Sequence, residues 1–550
     1  MPSVPAPPPT SSLGTGLLRV WLLATFMIGV AAAQNASPLV PDDAALDAPP
    51  SHFGTWDPDG IGRGYLAMGA AWHDANQDGH LDLFVAGGEQ PNTLLENRGD
   101  GTFDVSPHSA DVALEDRLCG GGVWGDFDND GYPDLFVNCD GQNALFRNLQ
   151  GTGFEDVTDA MGLTGQGKST SATWGDYNQD GLLDLYVSNW TCSPECVPED
   201  VTKNQDVLYR NDGDRFTDVT ADLLDVAATR GAALAVVFAD LDLDGDADLF
   251  IANDKYRHPI GNVLFRNDGP GCNGWCWTDV SKAMNAHQRI HSMGVAIGDL
   301  TQNGALDLYI SNMMSPMLLL LGQPSGPYED ATQIMNVGIN PPGTAVGWGT
   351  AFADLDHNGH LDLYLATSGM PALAGSFYSG TQPDLEDFRR PYPDAVFMQQ
   401  PDGSLQAVTP HDHGDAAEPN MALSMADYDN DGDVDAALGI WQDRYRLLRN
   451  TTSETAPDRG WIMLDLRGGG PVNREALGAT VRVTTTSGVT YVQTKFRGGT
   501  FGGNHDPRMH FGLGDDTVAG VSVTWPDGQV SEHGALTAGS LHVLKHPEAP

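Results

Sequence analysis

Short apolar runs, each opened by an aspartate, recur along the chain: DLFVAGG (82–88), DLFVNCD (134–140), DLYVSNW (184–190), DLFIAND (248–254), DLYISNM (307–313) and DLYLATS (362–368). They are rich in Leu, Phe, Tyr, Val and Ile and bounded by Gly, Asn and Asp, a pattern that reads as strand rather than helix. Ahead of each lies a run of small apolar residues and glycine, as in GGGVWGD (120–126) and TSATWGD (170–176). The two runs predict the arms of a β-hairpin. Downstream, ALFRN (144–148), VLYRN (207–211) and VLFRN (263–267), then GFEDVT (153–158) and RFTDVT (215–220), predict two further strands. Four strands in a unit of roughly 50 residues is the size of a propeller blade.

The tip of each hairpin is a charged loop. In DYDNDGDVD (427–435) every second residue is an aspartate, although two bare carboxylates about 5 Å apart repel by ~3 kcal/mol at an effective dielectric near 20. Six more loops follow the same plan, with oxygen-bearing residues at positions 1, 3, 5 and 9 and glycine at 6. The first three supply Asp74, Asn76, Asp78 and Asp82; Asp126, Asp128, Asp130 and Asp134; and Asp176, Asn178, Asp180 and Asp184. The next three supply Asp240, Asp242, Asp244 and Asp248; Asp299, Thr301, Asn303 and Asp307; and Asp354, Asp356, Asn358 and Asp362. The last is Asp427, Asp429, Asp431 and Asp435. Their starts lie 52, 50, 64, 59, 55 and 73 residues apart, which is an internal repeat.

Alternate oxygens with a turn glycine suit a hard cation that takes six to eight oxygen ligands, and that points to calcium, Ca2+. Position 7 would add its backbone carbonyl. No His or Cys stands at a ligand position, which argues against zinc. An EF-hand would need glutamate at position 12, where this chain has Val85, Val137, Val187, Ile251, Ile310, Leu365 and Leu438. Up to seven calcium sites are expected. The Asp299 loop, with only two carboxylates, should be the weakest.

Seven units predict an all-β fold, a seven-bladed β-propeller with calcium-loop hairpins over residues 51–457. HFGTW (52–56) precedes the first hairpin and is read as the outer strand that completes the last blade. These hairpins resemble FG-GAP/VCBS repeats, which are also found in integrin α-subunit propellers. The tail resembles an ASPIC/UnbV domain through GATVRV (478–483), DPRMHFGLG (506–514) and VSVTWPDG (521–528). Together they resemble the cartilage acidic protein family of secreted calcium-binding proteins. The resemblance implies a small C-terminal β-sandwich-like domain over residues 458–550, in which Asp506 and His510 belong to a structural hairpin.

Export is expected from the N-terminus. Arg19 is followed by VWLLATFMIGVAAAQ, an apolar run too short to span a bilayer that ends in Ala31-Ala32-Ala33. This reads as a signal peptide (1–33) cleaved after Ala33, leading to a secreted or periplasmic protein. Residues 34–50 read as a linker, and MLLLLG (317–322) as a blade strand. The six cysteines suggest disulfides Cys119–Cys139, Cys192–Cys196 and Cys272–Cys276. Glycosylation sequons stand at Asn35, Asn189 and Asn450.

A formal net charge of −46, with 28 Lys plus Arg against 74 Asp plus Glu, disfavours nucleic acid and anionic lipid as partners. No nucleophile motif or phosphate loop appears. His411, His413 and Asp415 form an HDHGD cluster on an inter-blade connection, and His287 and His291 read as exposed connector residues. Two function classes remain: a calcium-stabilised binding or adhesion module for a protein or glycan, and a propeller enzyme such as a polysaccharide lyase or sugar dehydrogenase. The second needs a polar, His- and Arg-lined pocket on the propeller axis. Long insertions follow the second strands at 189–206, 253–262 and 368–394, so they project from the face opposite the calcium loops. They carry Trp190, Tyr256, Arg257, Phe377, Tyr378, Phe388, Arg389, Arg390 and Tyr392, the usual makings of a recognition surface.

Overall fold

The structure is a computed structural model that describes residues 37–42, 46, 69–88, 90–190, 205–254, 260–272, 274–313, 316–338, 345–369, 392–408, 418–440 and 444–549. Seven antiparallel four-stranded units follow one another along the chain. Their inner strands are Ala70–His73, Cys119–Gly125, Gln166–Gly175, Ala233–Ala239, Val295–Gly298, Ala345–Ala353 and Asn420–Ala426, here blades 1 to 7. Blades 2 and 3 run together as one sheet because Gln166–Lys168 pairs with Asp140–Gln142. The hairpin register repeats throughout. The residue before loop position 1 pairs with the aspartate at position 9: His73 with Asp82, Gly125 with Asp134, Gly175 with Asp184, and Ala239 with Asp248. Gly298 with Asp307, Ala353 with Asp362, and Ala426 with Asp435 complete the series.

The ring closes differently from the sequence expectation. The fourth strand of blade 7 is Leu39–Pro41, paired with Leu448–Asn450, so the closing strand lies within the segment read as a linker. His52–Trp56 fall outside the described residues. Leu39 is buried in the core of blades 6 and 7, and a proline is tolerated on this strand because it is an edge.

Each pair of neighbouring blades shares an apolar core, such as Val123, Phe136, Trp174 and Leu185 between blades 2 and 3. Three inner-strand tryptophans also reach back one blade with their indole N–H. Trp72 donates to Ser424 O (3.4 Å), Trp124 to Ala71 O (3.1 Å) and Trp174 to Val123 O (3.3 Å). MLLLLG supplies the third strand of blade 5, Leu318–Leu321.

The C-terminal domain has two sheets. Gly460–Arg467 lies between Met509–Gly514 and Ser540–Lys545, and Thr480–Thr485 and Val518–Thr524 form the centre of a four-stranded sheet. Ile462, Leu464, Val481, Phe511, Val523 and Trp525 fill the space between them. Its loop FRGGTFGGNH (496–505) enters the propeller axis and bonds to inner strands around the ring. Thr173 Oγ1 donates to Arg497 O (2.6 Å), Gly122 N to Gly502 O (3.2 Å), Thr500 Oγ1 to Leu423 O (2.7 Å), and Asn504 N to Ala70 O (3.3 Å). Phe501 is 1% exposed and packs on Trp348 of blade 6 at 5.4 Å. Glycine is required here. Gly498, Gly499 and Gly502 have φ of 91°, 84° and 71°, and a Cβ on Gly503 would lie 2.0 Å from Ala70 O.

Disulfides join Cys119 to Cys139 and Cys272 to Cys276; Cys192 and Cys196 lie outside the described residues. Asn189 and Asn450 are buried and their Nδ2 atoms donate to Gln205 O and Leu355 O, both at 2.8 Å, so neither is presented as a sequon. Among the described residues no helix is long and apolar enough to cross a membrane.

Candidate functional site

Every loop is built on one template. The position-6 N–H donates to Oδ2 of the position-1 aspartate, as in Gly79 to Asp74 (2.9 Å), Gly131 to Asp126 (2.9 Å) and Gly432 to Asp427 (3.1 Å). That glycine has φ between 83° and 102° in all seven loops, which explains its recurrence. The position-9 carboxylate is pinned from both sides. Asp134 accepts from Phe127 N (3.1 Å) and Asn148 N (2.8 Å), and Asp184 from Tyr177 N (3.2 Å) and Asn211 N (2.8 Å).

Four loops bring three carboxylates together with oxygens within 4.8 Å: Asp126, Asp128 and Asp134; Asp240, Asp242 and Asp244; Asp354, Asp356 and Asp362; and Asp427, Asp429 and Asp435. In blade 4 the third member is the position-5 residue, with Asp248 outside the group; in the other three it is position 9, with Asp130 and Asp431 outside. The Asp74, Asp176 and Asp299 loops form no such group. There the side chains at positions 3 and 5 bond to one another or to the protein: Asn76 Nδ2 to Asp78 (3.2 Å), Asn178 Nδ2 to Asp180 (2.9 Å), Thr301 Oγ1 to Asp307 (3.4 Å) and Asn303 Nδ2 to Gly322 O (2.9 Å).

The electrostatics call for a counter-charge. Burial, and then neighbouring carboxylates, push Asp82, Asp126 and Asp354 up to about 8, and Asp176, Asp240 and Asp307 to about 7. Asp134, Asp184, Asp248, Asp362, Asp427 and Asp435 are pushed well above the carboxylate range for the same reason. Oδ1 of Asp126 and of Asp427 is buried and accepts no hydrogen bond, and each residue is 2% exposed. An acceptor left bare in an acidic cluster is where a cation fits. These aspartate groups, three of them largely buried, are able to hold a metal ion.

Two rings of hydrogen bonds fasten the loops to one another, and sequence reasoning missed both. A residue at or near the end of the third strand donates through its side-chain amide to the position-2 carbonyl of the preceding blade. Asn97 reaches Tyr428 O, Asn148 Ala75 O, Asn211 Phe127 O, Asn267 Tyr177 O, Gln399 Leu300 O and Asn450 Leu355 O, at 2.7 to 3.0 Å. The position-4 side chain, held at φ between 53° and 61°, bonds to the position-6 carbonyl of the next blade. Asn129 reaches Gly181 O (2.7 Å), Gln179 Gly245 O (3.2 Å), His357 Gly432 O (3.2 Å) and Asn430 Gly79 O (3.1 Å); Gln77 and Gln302 do the same toward Gly131 and Gly359. Both rings break at one junction, between blades 4 and 5, where the residues are Gly322 and Leu243. The RN that ends ALFRN, VLYRN and VLFRN was the available signal.

The C-terminal domain sits on this same face. Arg474 N donates to Asn129 Oδ1 (2.9 Å), Thr480 Oγ1 to Asp240 Oδ2 (3.4 Å), and Arg459 pairs with Asp356 (2.8 Å). Arg508 binds Asp506 through Nε and Nη2 (2.9 and 2.8 Å) and also donates to Asp427 O and Asn430 Oδ1 (both 2.6 Å). Asp506 in turn accepts from Asp427 N (3.2 Å), and the His510 ring lies tilted against His357 with centroids 5.1 Å apart. The DPRMHFGLG stretch is thus a docking element as well as a strand. A Cβ on its Gly512 would lie 1.8 Å from Asp354 Oδ2.

On the other face, Trp190 is buried, and its indole donates to Asp254 (2.7 Å), so it is not a displayed aromatic. His291 lies 3.0 Å from the same carboxylate with its side chain 14% exposed, a semi-buried pair rather than an exposed connector. His287 is half-buried, as is Tyr392. Tyr256, Arg257, Phe377, Tyr378, Phe388, Arg389, Arg390, His411, His413 and Asp415 lie outside the described residues.

Comparison with known proteins agrees with this architecture. Residues 74–137, 126–187, 240–310 and 299–365 match the FG-GAP-like repeat, and residues 469–550 match the ASPIC and UnbV domain. The chain is 22% identical to human (Homo sapiens) cartilage acidic protein 1 over 386 residues, covering 62% of this chain and 58% of that protein. It is 24% identical to the mouse (Mus musculus) protein over 389 residues, covering 62% and 59%. It therefore spans less than two thirds of the length of these relatives. Solved structures similar to it include rhamnogalacturonan lyase YesW (13% identity, TM-score 0.36, 76% of each chain) and the BP39L lectin from Burkholderia pseudomallei (10% identity, TM-score 0.40, 70% of this chain and 95% of that one). The chain is a β-propeller whose hairpins match the FG-GAP-like repeat and whose C-terminal domain matches ASPIC and UnbV.

Proposed function

We propose that the protein is an exported, calcium-stiffened binding module for an extracellular protein or glycan. The observation that carries the calcium reading is the bare, buried Oδ1 of Asp126 and Asp427 inside groups of three converging carboxylates. Bound calcium would supply that charge, held by positions 1, 3, 5 and 9 of the loops and the position-7 carbonyl. The Asp299 loop is the weakest site, since Thr301 and Asn303 already spend their polar groups within the protein. Export is supported by the apolar stretch ending at Ala33 and by the two disulfides.

Binding is preferred to catalysis because of the axis. A propeller lyase or dehydrogenase needs an open axial pocket, and here Phe501 and the backbone of residues 497–504 occupy that place. The C-terminal domain covers the loop face, so a partner is assigned to the opposite face, where the long insertions emerge. Calorimetric titration of the chelated protein with Ca2+ and Mg2+ tests the first half, with tighter binding and the larger rise in melting temperature expected for Ca2+. An unchanged melt after thorough chelation refutes it. A glycan array and pull-down, with calcium and with chelator, test the second half. Binding that is lost on Arg389→Ala, Arg390→Ala and Tyr392→Ala together, with the calcium-dependent melt intact, supports the assigned face.

A further inference from the structure

Where the C-terminal domain meets blades 5, 6 and 7, the two domains line a partly open cavity of about 150 Å3. Phe352, Leu361 and Phe496 form an apolar wall, and Lys495, Arg497 and Thr494 a polar one. Lys495 and Arg497 are 4% and 2% exposed. Nε and Nη2 of Arg497 satisfy no hydrogen bond, and the Thr494 hydroxyl is also without a partner. Lys495 Nζ has three protons to donate and one acceptor, Leu466 O at 3.2 Å. Buried polar groups are rarely left in this state, and here they line one space.

The charges do not balance either. Arg497 faces Glu475 at 3.4 Å, but that carboxylate is shared with His73 at 3.0 Å. Arg508 and Asp506 satisfy each other. Asp354 on the propeller side accepts from Asn358 N (3.0 Å) and Gly359 N (2.8 Å) of its own loop. Asp465 and Glu475 act on Lys495 from a distance, but the first is paired with Arg467 at 2.7 Å and the second faces Arg497 and His73. Among the described residues no carboxylate lies within ion-pair distance of Lys495. Burial pushes its ammonium down to about 8. A chain with a net charge of −46 thus buries a cation with no carboxylate at ion-pair distance, an arrangement that is destabilising unless an anion completes it.

We propose that this cavity binds a small organic monocarboxylate, with the carboxylate on Lys495 and Arg497 and the apolar body against Phe352 and Phe496. A cavity of this volume takes a body about the size of benzene. An inorganic oxyanion would leave the apolar wall uncovered.

The test is calorimetric titration of the full chain, saturated with calcium, with benzoate, benzamide and inorganic phosphate. Benzoate is expected to bind one to one, with benzamide and phosphate at least tenfold weaker. Lys495→Met should weaken benzoate at least tenfold. Ala353→Leu fills the cavity from the propeller side without touching a charge, and should remove binding while the circular dichroism and melting temperature hold. It keeps the proposal testable where Lys495→Met fails to fold. No binding of benzoate, equal binding of benzamide, preference for phosphate, or undiminished binding by folded Ala353→Leu each overturns the proposal.

Discussion

Asn148→Ala isolates the fastening between blades without disturbing a metal ligand. The Asn148 side chain makes three hydrogen bonds: Nδ2 to Ala75 O (2.8 Å), Nδ2 to Pro133 O (3.0 Å), and Oδ1 from Gly151 N (2.8 Å). The residue is 1% exposed, and Ala75 and Pro133 are buried as well. Water can replace the asparagine only at Gly151, which is partly exposed. The two buried carbonyls lose a partner each, at about 1–3 kcal/mol per group. The backbone bond from Asn148 N to Asp134 Oδ1 survives in the alanine variant, so the loop keeps its pinned carboxylate. The expected loss is therefore about 2–6 kcal/mol, with calcium affinity at the Asp126 loop little changed. Urea unfolding in saturating calcium, monitored by tryptophan fluorescence, reads the first quantity and calcium titration the second. Glu155→Ala, an exposed change in the neighbouring strand, is the control. A loss no larger than that control would show that the amide ring is ornamental and that apolar packing alone joins the blades.

Other expectations follow from the same contacts. Phe501→Ala removes the ring that seals the axis against Trp348 and should cost about 3–5 kcal/mol, read as a fall in the calcium-saturated unfolding midpoint. Arg508→Ala leaves Asp506 buried and unpaired, a loss of about 3–5 kcal/mol; the C-terminal domain should detach, with a larger radius of gyration by small-angle scattering and new proteolysis near residues 451–460. At limiting calcium the Asp299 loop should be the last to fill, and a structure with that site alone occupied refutes the ranking. Burial holds His505 down to about 4, below its ordinary 6.5, while its Nδ1 accepts from Met425 N (3.1 Å). The unfolded chain then binds more protons between those values, so this residue makes stability fall as pH drops from 6.5 toward 4 and adds no pH dependence above. His505→Gln in excess calcium should flatten that part of the profile, and an identical slope in both proteins sinks the assignment.

The repeat was legible because its chemistry is local. Oxygen at alternate positions, glycine where φ must be positive, and aspartate opening the second strand all lie within nine residues, and the structure keeps that register in every blade. What the sequence hid is non-local. The closing strand is three residues long, and LVP carries less pattern than HFGTW, so the longer run attracted the reading. GGTFGGN looks like any flexible turn. Its glycines are needed because they touch the carbonyls of strands hundreds of residues away, such as Gly503, where a Cβ would lie 2.0 Å from Ala70 O. Docking of the C-terminal domain on the loop face was equally invisible, since Gly432 reads as a turn glycine although a Cβ there would also strike Trp461 at 2.0 Å.

The junction between blades 4 and 5 makes the ring a split washer rather than a continuous hoop. Apolar packing crosses it, with Val237 and Leu241 against Val295 and Ile297, but neither set of loop ties does. The clip across the split belongs to the other domain: Gly499 donates to Val236 O (3.1 Å) on one lip and accepts from Val295 N (2.8 Å) on the other. Of the plug's backbone bonds, those of Gly499 thus join the two lips. A partner that levers the C-terminal domain off its seat also draws out that clip, and the disc then springs at this split. The terminal splice at Leu39–Pro41, with its strand pairing intact, stays shut.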